Sequence, residues 1–134
     1  MRRLVALTLF APALLVLVSI STAATRTSLT VTYWAGGPSS TKPDTWTLRC
    51  APAAGTLAKP APACARLSSS GWRLFAPVPK NAVCTEIYGG PQVALVVGVV
   101  QGHRVWARLQ RRNGCEIARW SHLSPWLVPA GGAT

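Results

Sequence analysis

The chain has 134 residues, of which fourteen are Lys or Arg and three are acids, for a formal net charge of +11. That length supports one hydrophobic core and excludes a second, because surface-to-volume scaling keeps small chains marginal. Asp44, Glu86 and Glu116 as the whole set of carboxylates, His103 and His122 as the only histidines, and the lack of a serine nucleophile elbow argue against an enzyme.

Arg2 and Arg3 open the chain, an almost wholly apolar stretch follows over residues 4–20, and Ser21, Thr22, Ala23 and Ala24 are small. This order predicts a secretory signal peptide over residues 1–24, cut after Ala23 or Ala24. The apolar run is slightly short for a transmembrane anchor and no basic stop follows it, so the expectation is a secreted, extracellular protein without membrane attachment after cleavage. No cysteine lies near the cut, which speaks against a lipoprotein anchor. Residues 25–134 then form a single domain of about 110 residues. Its remaining cationic excess favours either anionic company or plain solubility.

Leu29, Val31 and Tyr33 alternate with Thr30, Thr32 and Trp34, the period of two that sets one side of a strand on a core. Residues 36–43, rich in Gly, Pro, Ser and Thr, read as a loop before a second strand over residues 46–50. Pro60 and Pro62 each remove an amide donor, so a helix can begin only near them. Pro62 suits a first turn and Gly71 a stop, which predicts one short helix. Residues 72–75 and the stretch around Pro77 and Pro79 read as irregular up to Cys84.

Residues 92–100 are a nearly continuous β-branched run, and residues 103–112 follow after Gln101 and Gly102, which predicts a hairpin with a two-residue turn. That turn sets Val99 opposite Arg104, Val97 opposite Trp106, Val96 opposite Ala107 and Leu95 opposite Arg108. One face is then wholly apolar, and the other mixes aliphatic residues with Trp106 and arginines. A partner sheet, a helix layer or a second copy is expected over that mixed face. Asn113 and Gly114 make a further turn, and residues 116–126 fit a helical turn and a strand equally well.

Cys50, Cys64, Cys84 and Cys115 are even in number and lie in the exported part, which predicts two disulfides with three pairings open. Their spacing contains no C-x-x-C, and His103 and His122 are far from ligand spacing, so neither a metal nor any other cofactor is expected.

Four segments in order carry a resemblance: CAPAAGTLAKPAPACARL at 50–67, CTEIYGGP at 84–91, the V-x-G-V-V-Q-G-x-R-V hairpin at 97–105, and NGCE at 113–116. Together they resemble the Streptomyces subtilisin inhibitor family over nearly the whole mature chain. The resemblance implies an α+β fold with a single five-stranded antiparallel sheet, two short helices and two disulfides, Cys50 to Cys64 and Cys84 to Cys115. It also implies a homodimer whose partners are secreted serine proteases. Within that family the bond offered to the protease falls two residues after the third cysteine, here between Glu86 and Ile87. Cys84, Thr85 and Glu86 become the P3, P2 and P1 residues of a reactive loop that continues through Ile87 and Tyr88.

The chain departs from the family pattern twice. Members that block subtilisin or trypsin-like enzymes tend to carry Met, Lys or Arg where Glu86 stands. The expected targets are therefore subtilisin-like or glutamyl-specific serine endopeptidases, with weak inhibition of subtilisin at neutral pH and better inhibition of glutamate-preferring enzymes. Gly89 and Gly90 make the following segment one glycine longer than usual, which is expected to soften the loop. The competing reading is a cationic extracellular module without inhibitory activity, gripping anionic polymers through Arg104, Trp106, Arg108 and Arg112. Secretion argues against nucleic acid as its ligand.

Overall fold

Apolar side chains that alternate with hydroxyls build the first strand, β1 (Thr27–Trp34), in a computed structural model that describes residues 26–131. The leader expected over residues 1–24 lies outside these. Strand β2 (Asp44–Cys50) runs antiparallel to β1, with Leu29 opposite Leu48 and Val31 opposite Trp46. The β-branched run becomes β3 (Val93–Val100) on the other side of β1, and β4 (His103–Leu109) closes the order β2-β1-β3-β4. Gln101 and Gly102 both have positive φ, 50° and 81°. Such a turn follows the right-handed twist of the flanking strands. It places Val99 opposite Arg104, Val97 opposite Trp106, Val96 opposite Ala107 and Leu95 opposite Arg108.

Helix α1 (Pro60–Ser70) begins on a proline whose missing N–H no helical partner would have met, and ends where the Gly71 N–H donates to the Leu67 carbonyl at 2.9 Å. Residues 72–75 form one 3₁₀ turn rather than an irregular stretch. The ambiguous tail resolves into a second helix, α2 (Gly114–Leu123). Asn113 caps it, its Oδ1 accepting the Glu116 N–H at 3.0 Å, and Glu116, Trp120 and Leu123 fall on one buried stripe. Both helices and the 3₁₀ turn cover the same side of the sheet. Leu29, Val31, Val96 and Ala107 of the strands meet Leu67, Phe75, Trp120 and Leu123 in one core.

The sheet has four strands among the described residues, not the five that the resemblance implied. Residues 124–131 join no ladder, since Pro125 and Pro129 have no amide donor for one. Their carbonyls serve side chains instead: Leu127 O accepts the Trp46 indole N–H at 3.0 Å and Pro129 O that of Trp120 at 2.9 Å. The cover expected over the mixed face is also missing among the described residues as sheet or helix layer. Val97 is 40% and Trp106 69% exposed there. Each helix has a single apolar stripe, and both stripes are spent on the inner face.

Cys50 at the end of β2 is bonded to Cys64 in α1, with Cα atoms 5.6 Å apart, and Cys84 to Cys115 in the first turn of α2, at 5.3 Å. No helix among the described residues is long and apolar enough to cross a membrane.

Candidate functional site

Residues 82–92 form neither helix nor strand, yet they are tied down at several points. The disulfide to Cys115 fixes Cys84. One residue on, the Thr85 carbonyl accepts the Gly114 N–H at 2.9 Å, and beyond the span the Gly89 N–H donates to the Arg111 carbonyl at 2.7 Å. A Cβ at Gly114 would overlap Thr85 Oγ1, so the absence of a side chain there lets Thr85 seat against the start of α2.

Between these ties Glu86, Ile87 and Tyr88 face solvent, Ile87 60% and Tyr88 67% exposed. Among the described residues no backbone hydrogen bond uses their amides or carbonyls, and Glu86 enters no ion pair. The one ion pair there, Arg119 with Glu116 at 3.4 Å, lies within α2. Thus Cys84 and Thr85 anchor one continuous segment, and Glu86, Ile87 and Tyr88 follow them as an exposed span with open main-chain donors and acceptors. Such a span is what another protein's cleft can pair with as an added strand.

The two glycines pack closely against neighbouring side chains. Gly90 adopts φ +127°, and a Cβ on it would overlap Gln92 Oε1. A Cβ on Gly89 would lie 2.9 Å from the Ile117 side chain of α2. Both positions are close approaches of backbone to packed side chains, and the positive φ of Gly90 favours glycine there.

Reading the sequence missed Arg111 and Gln92, 9% and 7% exposed beneath this segment. The Arg111 Nη1 donates to Gln92 Oε1 at 3.0 Å and Nη2 to the Gly131 carbonyl at 3.3 Å. No local signal separates Arg111 from Arg112, which is exposed.

Arg104, Trp106 and Arg108 share the open face of the sheet, and Arg49 of β2 lies in the cross-strand row of Arg104 through Ser28 and Val99. This surface is built on the layer opposite α2. All four cysteines are in disulfides, and no three His, Cys, Asp or Glu among the described residues cluster as a metal site.

A family model described as subtilisin inhibitor-like matches residues 23–113 of the chain. Among solved structures, the crystal structure of Streptomyces caespitosus sermetstatin in complex with Bacillus licheniformis subtilisin is similar at 28% identity and a TM-score of 0.47, covering 70% of this chain and 90% of that one. No curated protein sequence matches significantly.

Proposed function

The chain belongs to the subtilisin inhibitor-like family, whose domains are protease inhibitors and not enzymes, and from that premise we propose that it is a secreted inhibitor of serine endopeptidases whose reactive bond is Glu86–Ile87. One observation carries the reading: an exposed span with unused main-chain polar groups, Glu86 to Tyr88, lies between a disulfide at Cys84 and a backbone hydrogen bond at Gly89. A protease would take the span as an extended strand, main-chain bonds giving affinity and the P1 side chain specificity.

Stiffness separates an inhibitor from a substrate. If the cut ends cannot part, the new amine of Ile87 stays beside the acyl carbon of Glu86 at high effective concentration and re-forms the bond. A span held before contact also avoids the ordering entropy that a free peptide loses, so an interface of about 800 Å² per partner suffices for tight binding. The Glu86 carboxylate suits pockets that offer cations or hydrogen-bond donors, and is costly in apolar ones. Disulfides agree with an oxidising, extracellular setting.

The open sheet face, with Val97 and Trp106 exposed, supports a homodimer in which a second copy supplies the missing cover. Its arginines support the second reading, a cationic module gripping anionic polymers. That binding would weaken steeply with salt, whereas loop-in-cleft inhibition depends on it modestly.

An inhibition panel of subtilisin, trypsin, chymotrypsin and a glutamyl endopeptidase tests the proposal, with mass spectrometry locating any nick. Inhibition strongest for the glutamyl enzyme, with slow nicking between Glu86 and Ile87, is the expected result. Rapid degradation by every enzyme, or a nick elsewhere, overturns it.

A further inference from the structure

The two sides of the Glu86–Ile87 bond are held by different means. Glu86 lies two residues from a disulfide, whereas the Ile87 side has no covalent tie before the chain enters β3. Its restraint is non-covalent, from Ile117 against Gly89 and from Arg111. The Arg111 carbonyl receives the Gly89 N–H at 2.7 Å, and its guanidinium lies under Gly90, where an added Cβ would stand 3.1 Å from Nη1. The same Nη1 donates to Gln92 Oε1 at 3.0 Å, and Nη2 reaches the Gly131 carbonyl at 3.3 Å, so one side chain spans the exit of the loop and the C-terminal tail.

Arg111 is the one buried arginine among the described residues. Burying a guanidinium is unfavourable unless its donors are met, so the fork and its acceptors hold each other in one arrangement. The close packing of Gly90 then has a reason: a glycine lets the backbone descend onto Arg111 and Gln92.

Resting on the function proposed above, we infer that Arg111, acting through Gln92, is the positioning residue that keeps the amine side of the reactive bond in place, as the Cys84–Cys115 disulfide keeps the acyl side. It does not touch the protease. Its effect is on re-formation of the bond: with the exit of the loop released, the Ile87 amine drifts from the acyl-enzyme and water completes hydrolysis.

Arg111→Lys keeps the charge but loses the planar fork, and Gln92→Leu keeps volume but removes the acceptor, while Gln92→Glu retains an acceptor. For each, the inhibition constant, the hydrolysis rate of the Glu86–Ile87 bond in the complex, the melting temperature and the exchange rate of the Gly89 amide are measured. Arg111→Lys and Gln92→Leu are expected to weaken inhibition about tenfold, the scale of one hydrogen bond to a charged group, with hydrolysis accelerated in proportion. Gln92→Glu is expected to inhibit and resist hydrolysis like the wild type, a rescue that loss of packing alone would not give. Wild-type inhibition with unchanged hydrolysis in Arg111→Lys and Gln92→Leu overturns this inference and leaves the inhibitor reading standing. If the wild type inhibits nothing, that reading falls, and the positioning is decided by the Gly89 amide: faster exchange in both variants upholds it and equal exchange overturns it.

Discussion

Glu86 is the residue on which target choice turns, because its side chain is the one a specificity pocket would swallow whole. Moving an ionised carboxylate into an apolar pocket costs several kcal/mol, and about 1.4 kcal/mol is tenfold in affinity. Glu86→Leu is therefore expected to bind subtilisin about a hundredfold more tightly or better and to lose a glutamyl endopeptidase, read as inhibition constants at neutral pH; no gain against subtilisin would remove the role given to Glu86. Tyr33 offers a test of a different kind. Burial beside Trp46 and Trp120, with ring centroids at 6.0 and 6.2 Å, pushes its hydroxyl pKa up, with Arg111 opposing the shift. A pKa higher in the folded than in the unfolded chain means that the folded state holds the proton longer, so this contribution is full below the unfolded value near 10 and declines as pH rises through the folded one. Thermal melts between pH 8 and 11 are expected to show that decline in the wild type and less of it in Tyr33→Phe.

The first turn of α2 is the platform of the loop. Gly114 supplies the N–H for Thr85, Cys115 the disulfide, and Ile117 the surface under Gly89. Fraying this turn harms both fold and loop. Asn113→Ala, which deletes the cap to Glu116, is expected to lose about 1 kcal/mol of stability in denaturant titration. The two disulfides separate the roles. Replacing Cys84 and Cys115 with serines opens a loop whose closure stabilises by roughly 3 to 4 kcal/mol, and turns the inhibitor into a substrate cut quickly at Glu86–Ile87. Replacing Cys50 and Cys64, which join β2 to α1 away from the reactive span, is expected to lower the melting temperature while that bond stays resistant. Equal cutting in both double variants would show that the tether at Cys84 is not what stiffens the loop.

For the molecule as a whole, the two sides of the sheet offer separate surfaces. Helices and reactive span occupy one side of the sheet, and Leu95, Val97, Val99 and Trp106 leave an uncovered apolar strip rimmed by Arg49, Arg104 and Arg108 on the other. In the proposed dimer a second copy would bury this strip on the side away from the reactive span, and the rimming cations would oppose self-association at low salt. Sedimentation equilibrium is expected to show a dimer that tightens as salt rises, and Trp106→Glu to give a monomer that still inhibits. A wild-type monomer at every concentration would leave the strip without its proposed cover.

Strands β1 and β2 and the β3–β4 hairpin were legible in the amino-acid sequence because their rules are local. A period of two selects the buried face, and a two-residue turn leaves a single register, since a slip of one residue would turn every side chain to the wrong side. The candidate reactive span at Glu86 and Ile87 was marked in the sequence only through the family resemblance, by its place after the third cysteine, and not by a local rule. Residues 116–126 stayed ambiguous because the choice between helix and strand was made by Trp120 and Leu123 reaching a core that other elements build. Cysteine spacing left three pairings open; the resemblance implied the pairing that the fold forms, and folding is what brings each pair within reach. Arg111 and Arg112 are adjacent and chemically identical; one is buried on Gln92, nineteen residues away, and the other stands in solvent. Whether a polar group can be buried depends on the partner that folding delivers, and that partner is distant in the chain.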